Sequence, residues 1–213
     1  MLHINMFTIA TCSIVIAGAI VATPVLVRGF VRRGTGVKYE RNFLIQRAPQ
    51  LATLINVLLL VVAYMGYNSI LNTPFLTLSE GEPQGVSAMI AWLGVGILIS
   101  GMVFMIGGWY SLGDCFTTDA EVLDGHTVRS DGLLKLVMHP AYSGIIQSLL
   151  GASLAATSLP CALFSILVVG PLWLARAKYE EHLLIESLGQ SYREYAENMH
   201  WRRLIPRIFP IGV

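Results

Sequence analysis

The stretch VSAMIAWLGVGILISGMVFMIGGWY, residues 86–110, contains no acidic or basic side chain. A helix of about 20 apolar residues is long enough to cross the hydrocarbon core of a bilayer, so this stretch predicts a membrane-spanning helix. Two similar runs precede it, at residues 6–27 and 48–71. The chain of 213 residues is 54% apolar, with a mean hydropathy of +0.64, which indicates an integral membrane protein.

A fourth apolar region follows at residues 141–175 and is interrupted by Ser158-Leu159-Pro160. Proline does not continue a helix interior, so this region predicts a hairpin of two shorter spans. From Arg176 to about His200, leucine, tyrosine and methionine recur every three to four residues, which predicts an amphipathic helix. The expected fold is therefore all-α, with five transmembrane helices, a polar loop at residues 113–138 and an amphipathic C-terminal helix.

The positions of the basic residues predict the orientation in the membrane. All 14 lysines and arginines fall at residues 28–47, 129–135 and 176–207, which five spans place on one side. Because cytoplasmic loops retain Lys and Arg, we expect the N-terminus outside and the C-terminus and polar loop in the cytoplasm. Residues 1–27 hold no basic residue, which favours a retained span over a cleaved signal peptide. The net charge of +1 gives no sign of a nucleic-acid partner.

The polar passage HTVRSDG, residues 126–132, and the sequence HPAYSG, residues 139–144, lie between apolar stretches. Further along, Arg176 is followed by the acidic pair Glu180 and Glu181. Ionisable groups at the edge of a membrane bundle are costly, so they indicate a functional site. Arg176 and Glu180 are four residues apart, a spacing at which helical side chains meet. A structural ion pair and a functional pair both remain open at this point.

Metal binding and disulfides are not expected. His126 and His139 are 13 residues apart, and neither belongs to an H-x-x-x-H or H-E-x-x-H pattern. The three cysteines, Cys12, Cys115 and Cys161, are isolated from one another in the sequence. No glycine-rich phosphate loop is present either.

Together, these motifs resemble the isoprenylcysteine carboxyl methyltransferase family. Its pattern runs H-x-L-V-x-x-G-x-Y, then R-H-P-x-Y-x-G, and after a helical hairpin R-x-x-x-E-E and F-G-x-x-Y-x-x-Y. Matching elements lie at residues 126–144 and 176–189, followed by Tyr192 and Tyr195. The resemblance implies a membrane methyltransferase that uses S-adenosylmethionine and releases S-adenosylhomocysteine. It also implies a transmembrane scaffold at residues 1–110 and a cofactor-binding region at residues 111–213.

Carried over position by position, the resemblance implies which residues form the site. Arg176 would orient the methyl acceptor, and Glu180 would act beside it. The residues implied to contact S-adenosylmethionine are Asp119, His126, Thr127, Val128, Arg129, Gly132, Leu134, His139, Pro140, Ala141, Tyr142, Glu180 and Glu181. This chain departs from the family pattern at Met138, where an arginine is usual, at Leu134, where a tyrosine is usual, and at Arg129, where valine is usual.

The acceptor implied by the resemblance is a small lipophilic molecule that enters from the bilayer. An isoprenylcysteine-like carboxylate, a lipid amine, a lipophilic phenol and a thiol all remain open, and the oligomeric state is not predicted. One alternative is a non-catalytic membrane binding or scaffold protein, which the departures at Met138 and Leu134 favour. A second is an NADPH-dependent sterol-type reductase with a related H-x-x-Y-x-G sequence, although Ala141 and Ile145 do not match its usual pattern.

Overall fold

A computed structural model describes residues 5–39, 42–64, 83–199 and 203–204, and most of them are helical. Short 3-10 turns occur at Gly113–Cys115 and Gly132–Lys135, and a π turn at Ser165–Val169. The helices and strands of the described residues are, in order, α1 (Met6–Val31), β1 (Lys38–Tyr39), α2 (Phe43–Gln46), α3 (Ala48–Tyr64), α4 (Val86–Leu112), β2 (Glu121–Val122), α5 (Pro140–Ala155), α6 (Leu159–Phe164), α7 (Gly170–Leu188) and α8 (Gln190–Asn198).

Three helical stretches are long and apolar enough to cross a membrane: Met6–Val31, Val86–Cys115 and Leu159–Leu188. The first two confirm the predicted first and third spans. Helix α3 is apolar but only 17 residues long, and residues 65–71 of the predicted second span lie outside the described residues. Many large apolar side chains on the outer faces of α1, α3 and α4 are exposed, as expected for helices that contact lipid.

The hairpin is present, but its second arm is longer than predicted. Helix α5 ends at Ala155 and α6 begins at Leu159, which confirms the interruption at Pro160. The second arm does not stop at residue 175, because the π turn joins α6 to α7 and the helix continues to Leu188. Arg176 therefore lies in the middle of this arm rather than at the start of a separate helix.

The predicted C-terminal helix from Arg176 to about His200 is wrong as a single element. Gly189 has a φ of +61°, a conformation that glycine adopts readily and that ends α7. The amphipathic pattern resumes in the separate helix α8. His200, Pro206 and Pro210 lie outside the described residues.

Helices α4 and α5 pack with their backbones in close contact along a row of glycines. A Cβ atom added at Gly94, Gly101 or Gly108 would overlap the backbone of Ala155, Ser148 or Ala141, respectively. The three glycines are seven residues apart, two helical turns, and their partners descend in number, so the helices are antiparallel. Close packing therefore explains these glycines in the third predicted span.

A small sheet links the two polar loops at one end of the bundle. Strands β1 and β2 pair antiparallel, with Lys38 opposite Val122 and Tyr39 opposite Glu121. The all-α prediction missed this pair, because two residues are too few to show the alternation that marks a strand. Beside the sheet, Arg32 donates to the carboxylate of Asp114 at 2.7 Å. The loop after α1 and the loop after α4 therefore lie together at the same end.

Candidate active site

A cavity lies where the polar loop meets the start of α5 and the inner face of α7. Its volume is about 200 Å³, far more than the roughly 10–15 Å³ that one water molecule requires. Five residues of one α7 face line it, namely Trp173, Arg176, Glu180, Leu184 and Leu188. At 1.5 Å per residue, this face extends for about 22 Å. The cavity is therefore elongated, with charged groups in its middle and apolar groups towards both ends of that face.

Arg176 is the central buried residue of the cavity wall, with 2% of its surface exposed. Its Nη1 donates to the Gln46 carbonyl at 3.1 Å, and its Nη2 donates to the Thr118 carbonyl at 3.0 Å. Its Nε donates to the Tyr142 hydroxyl at 3.2 Å. Arg176 thus holds together α2, the polar loop and α5 around α7.

Arg176 and Glu180 are connected through Tyr142. The Tyr142 hydroxyl accepts from Arg176 and donates to the Glu180 carboxylate. The Tyr142 ring also packs against Trp173, with 4.6 Å between ring centroids. The Arg176 guanidinium carbon lies 5.4 Å from the Trp173 ring centroid. The four residues form one buried cluster in which a tyrosine bridges the two charges that the sequence places four residues apart.

Asp119 is buried between two arginines of the loop after α1. Arg47 Nη1 donates to one carboxylate oxygen at 2.8 Å, while Arg47 Nη2 at 3.1 Å and Arg33 Nε at 3.0 Å donate to the other. Burial by itself would raise the pKa of Asp119, but these hydrogen bonds and positive charges outweigh it and lower the pKa. Asp119 therefore anchors the polar loop to the loop after α1.

We expect Asp119→Asn to lower the free energy of unfolding by about 1–3 kcal/mol, because it removes a charged acceptor from two guanidinium groups. Thermal unfolding of the purified protein in detergent measures this loss. Asp131→Asn is the control, because Asp131 is exposed and its contact with Arg129 is 3.5 Å long. Equal melting temperatures for the two variants would contradict the anchoring role of Asp119.

His126 brings an unpaired polar atom to the cavity. Its Nδ1 is buried and has no hydrogen-bond partner in the described part of the protein. Burial lowers the pKa of His126, an effect that the negative charge of Glu180 partly offsets. The imidazole is therefore neutral at neutral pH. A buried nitrogen without a partner beside a cavity favours a polar ligand at that position.

Two of the residues predicted to contact the cofactor do not line the cavity. Glu181 accepts from His139 Nε2 at 3.1 Å and from Arg203 Nε at 2.6 Å. Through these contacts it connects the start of α5 to the segment after α8. Gly132 has a φ of +57°, and a Cβ atom there would overlap the Ser111 hydroxyl. Both residues support the wall of the cavity from outside.

The structure brings most of the predicted site residues together. The other predicted residues all line the cavity: Asp119, His126, Thr127, Val128, Arg129, Leu134, His139, Pro140, Ala141, Tyr142, Arg176 and Glu180. Their roles as cofactor or acceptor contacts remain predictions.

Two of the three departures from the family pattern, Met138 and Leu134, occupy buried positions near α8. Met138 packs against Tyr192 and Met199. The Leu134 carbonyl accepts from the Tyr195 hydroxyl at 2.8 Å. Because this bond uses the backbone of Leu134, it does not depend on which side chain that position carries.

Several residues of the site were not identified from the sequence. Gln50, Thr118 and Trp173 line the cavity, while Gln46 and Arg33 fix its walls. Only Trp173 had a local signal, since it lies one helical turn before Arg176. The others come from segments distant in sequence, which a local pattern does not connect.

The fold is that of a helical integral membrane protein, and a cavity lined by polar and apolar side chains lies at one end of its bundle. Residues 92–186 match the model of the isoprenylcysteine carboxyl methyltransferase family. The match covers α4, the polar loop, α5 and most of the arm that ends in α7. It therefore contains Arg176, Glu180, Tyr142 and His126.

Similar curated proteins carry the name of the same family. The chain is 26% identical to the probable protein-S-isoprenylcysteine O-methyltransferases of Oryza sativa subspecies indica and japonica, over 52% of this chain and 59% of each of those proteins. It is also 26% identical to protein-S-isoprenylcysteine O-methyltransferase B of Arabidopsis thaliana, over 52% of this chain and 57% of that protein. The chain thus spans less than two thirds of the length of these relatives.

Proposed function

We propose that this protein is an integral membrane methyltransferase that uses S-adenosylmethionine and methylates a small lipophilic acceptor. The observation that carries the proposal is the cavity itself. It combines the unpaired Nδ1 of His126 with the Tyr142–Glu180 pair, within the segment that matches the family model. An anionic, partly aromatic wall with an unsatisfied imidazole nitrogen suits a cationic nucleoside ligand.

The residues beside Glu180 fit S-adenosylmethionine. When bound, this cofactor supplies a sulfonium methyl group, which an acceptor atom takes as the S–C bond breaks and its electron pair stays on the sulfur of S-adenosylhomocysteine. The Glu180 carboxylate provides negative charge for the sulfonium, and the Tyr142 ring provides an aromatic face. Neutral His126 offers a nitrogen that hydrogen bonds to a polar group of the ligand.

The part of the cavity beside Trp173 fits the lipophilic acceptor. The cavity is also lined by apolar side chains from three helices of the bundle, Leu26, Trp109, Leu112 and Ile145. Each of the three guanidinium nitrogens of Arg176 donates one N–H to a protein group. Nη1 and Nη2 each carry a second N–H, which can donate to the methyl acceptor. A carboxylate is already nucleophilic and needs mainly to be held in line, which suits a fixed guanidinium.

We further propose five membrane spans, with the cavity on the cytoplasmic side. The contacts of Arg32, Arg33 and Arg47 with the loop after α4 support this arrangement, because they bring two of the three basic segments to one end. Arg176 adds the third basic segment to that end through its bond to the Gln46 carbonyl. Cofactor would then enter from the cytoplasm and the acceptor from the bilayer.

Cofactor binding is the first experiment. We expect the purified protein in detergent to bind S-adenosylhomocysteine and not NADPH, as measured by isothermal titration calorimetry. Glu180→Gln should weaken binding of S-adenosylmethionine by about tenfold, which is the value of one charge-assisted contact of roughly 1.4 kcal/mol. It should weaken binding of S-adenosylhomocysteine less, because that molecule has no sulfonium charge.

The control is Glu186→Gln, on an exposed face of the same helix. Binding of NADPH alone would support the reductase alternative. Binding of neither nucleotide would support a non-catalytic membrane protein. An equal effect of Glu180→Gln on the two sulfur ligands would contradict the charge role given to Glu180.

A further inference from the structure

The segment at residues 117–121 is held in place by side chains from several other segments. The carbonyl of Thr118 accepts two hydrogen bonds, from Gln50 Nε2 at 3.0 Å and from Arg176 Nη2 at 3.0 Å. The next residue, Asp119, is fixed by the arginines of the loop after α1. Helix α3, helix α7 and that loop therefore converge on Thr118 and its neighbour.

The residues that follow are fixed in the same way. The N–H of Ala120 donates to Gln46 Oε1 at 3.0 Å, and its carbonyl accepts from Gln46 Nε2 at 2.9 Å. The Glu121 carboxylate accepts the backbone N–H groups of Gly34 at 3.0 Å and Gly36 at 2.9 Å. The backbone around Thr118 is thus set before any ligand binds, which is the condition for precise positioning of a ligand.

The Thr118 hydroxyl is the exception in this network. Its Oγ1 is buried and has no partner among the described residues, and Thr118 lines the cavity. The hydroxyl of neighbouring Thr117, by contrast, donates to the Glu121 carboxylate at 2.8 Å. A buried hydroxyl without a partner costs free energy, and native proteins rarely retain one without a reason. A group that is fixed, buried and unpaired beside a cavity is suited to contact a ligand.

We propose that the Thr118 hydroxyl is an acceptor-positioning group, which donates a hydrogen bond to a carboxylate at the reactive end of the methyl acceptor. The proposal rests on the methyltransferase function proposed above and adds a residue to its site. The Thr118 carbonyl accepts a hydrogen bond from Arg176. Arg176 lies one turn of α7 before Glu180, on the side of Trp173. Thr118 therefore belongs to the acceptor part of the cavity, where it and Arg176 would hold the same carboxylate.

The test compares Thr118→Val with Thr118→Ser and with Ser187→Ala. Valine keeps the shape of threonine but removes the hydroxyl, whereas serine retains it. Ser187 also has a buried hydroxyl with no partner in the described part of the chain, but it does not line the cavity, so it is a matched control. The probe acceptor is N-acetyl-S-farnesylcysteine, a lipophilic carboxylate, with a radiolabelled methyl donor.

We expect Thr118→Val to raise the KM for the probe by about three- to tenfold, the effect of losing one hydrogen bond. The affinity for S-adenosylhomocysteine should stay unchanged. The melting temperature without ligand should not fall, because the lost hydroxyl has no partner among the residues that the structure describes. Thr118→Ser should restore the KM, and Ser187→Ala should leave it at the wild-type value.

Other results would overturn the assignment. An unchanged KM would remove Thr118 from the acceptor site while leaving the proposed methyltransferase intact. A weaker affinity for S-adenosylhomocysteine in Thr118→Val would assign the hydroxyl to the cofactor instead. If the wild-type protein binds S-adenosylhomocysteine but does not methylate the probe, the carboxylate partner of Thr118 is wrong. If the wild-type protein does not bind S-adenosylhomocysteine at all, the proposed function itself is refuted.

Discussion

Arg176→Lys is expected to reduce methyl transfer by at least about a hundredfold, the typical cost of removing one preorganised electrostatic group. Lysine keeps the positive charge, but its single ammonium does not reproduce the planar fork of guanidinium N–H groups. It would not reach the Gln46 carbonyl, the Thr118 carbonyl and the Tyr142 hydroxyl together. The acceptor would then lose a fixed partner, and the cavity wall would lose its central connection. Single-turnover measurement with a radiolabelled methyl donor tests this expectation.

Affinity for S-adenosylhomocysteine should fall much less than turnover in Arg176→Lys, because the proposed cofactor contacts lie beside Glu180 and His126. Stability should also fall, by about 1–3 kcal/mol for a buried carbonyl left unpaired. Lys178→Ala is the control, since Lys178 is exposed on the same helix, two residues away. Parallel losses of turnover and cofactor affinity would show instead that Arg176 acts only by holding the wall together.

The sequence predicted the parts of the site that lie within local motifs. The spacing of Arg176 and Glu180 indicated that the two residues lie on one helix face, and the family resemblance implied that Tyr142 lies beside them. The structure connects all three by hydrogen bonds. The interruption at Pro160 was also predicted, because proline has a local and direct effect on a helix. What the spacing did not reveal is that Tyr142 connects the two charges.

The remaining features depend on contacts between distant segments. Asp119 is 72 residues from Arg47 in sequence, and no periodicity relates them. The basic loop was explained by topology alone, although two of its arginines also bind this aspartate. Nothing in the sequence distinguishes Thr118 from other loop threonines. Its role is indicated only by the two hydrogen bonds to its carbonyl and by its hydroxyl, which has no partner among the described residues. Such roles follow from the tertiary structure rather than from residue type.

The second large expected effect is on stability, and it comes from the packing of α4 against α5. Gly101→Leu is expected to destabilise the protein by about 3 kcal/mol or more, because its side chain would occupy the space of the α5 backbone at Ser148. The two helices would have to separate, and with them the parts of the cavity wall that each helix supports. Gly144 and Gly151 of α5 contact the α4 backbone in the same way, so no flexible side chain is available to move aside.

Gly96→Leu is the matched control for this prediction. Gly96 lies on the same helix, five residues from Gly101, but a Cβ atom there has no neighbour within 4 Å. The same substitution should therefore leave the melting temperature and the affinity for S-adenosylhomocysteine at wild-type values. Yield of folded protein, thermal unfolding in detergent and cofactor affinity would be measured for both variants. Similar losses in both would mean that lipid contact, rather than the α4–α5 interface, makes glycine necessary. A lower melting temperature and a weaker cofactor affinity in Gly101→Leu alone would show that close backbone packing holds the cavity together.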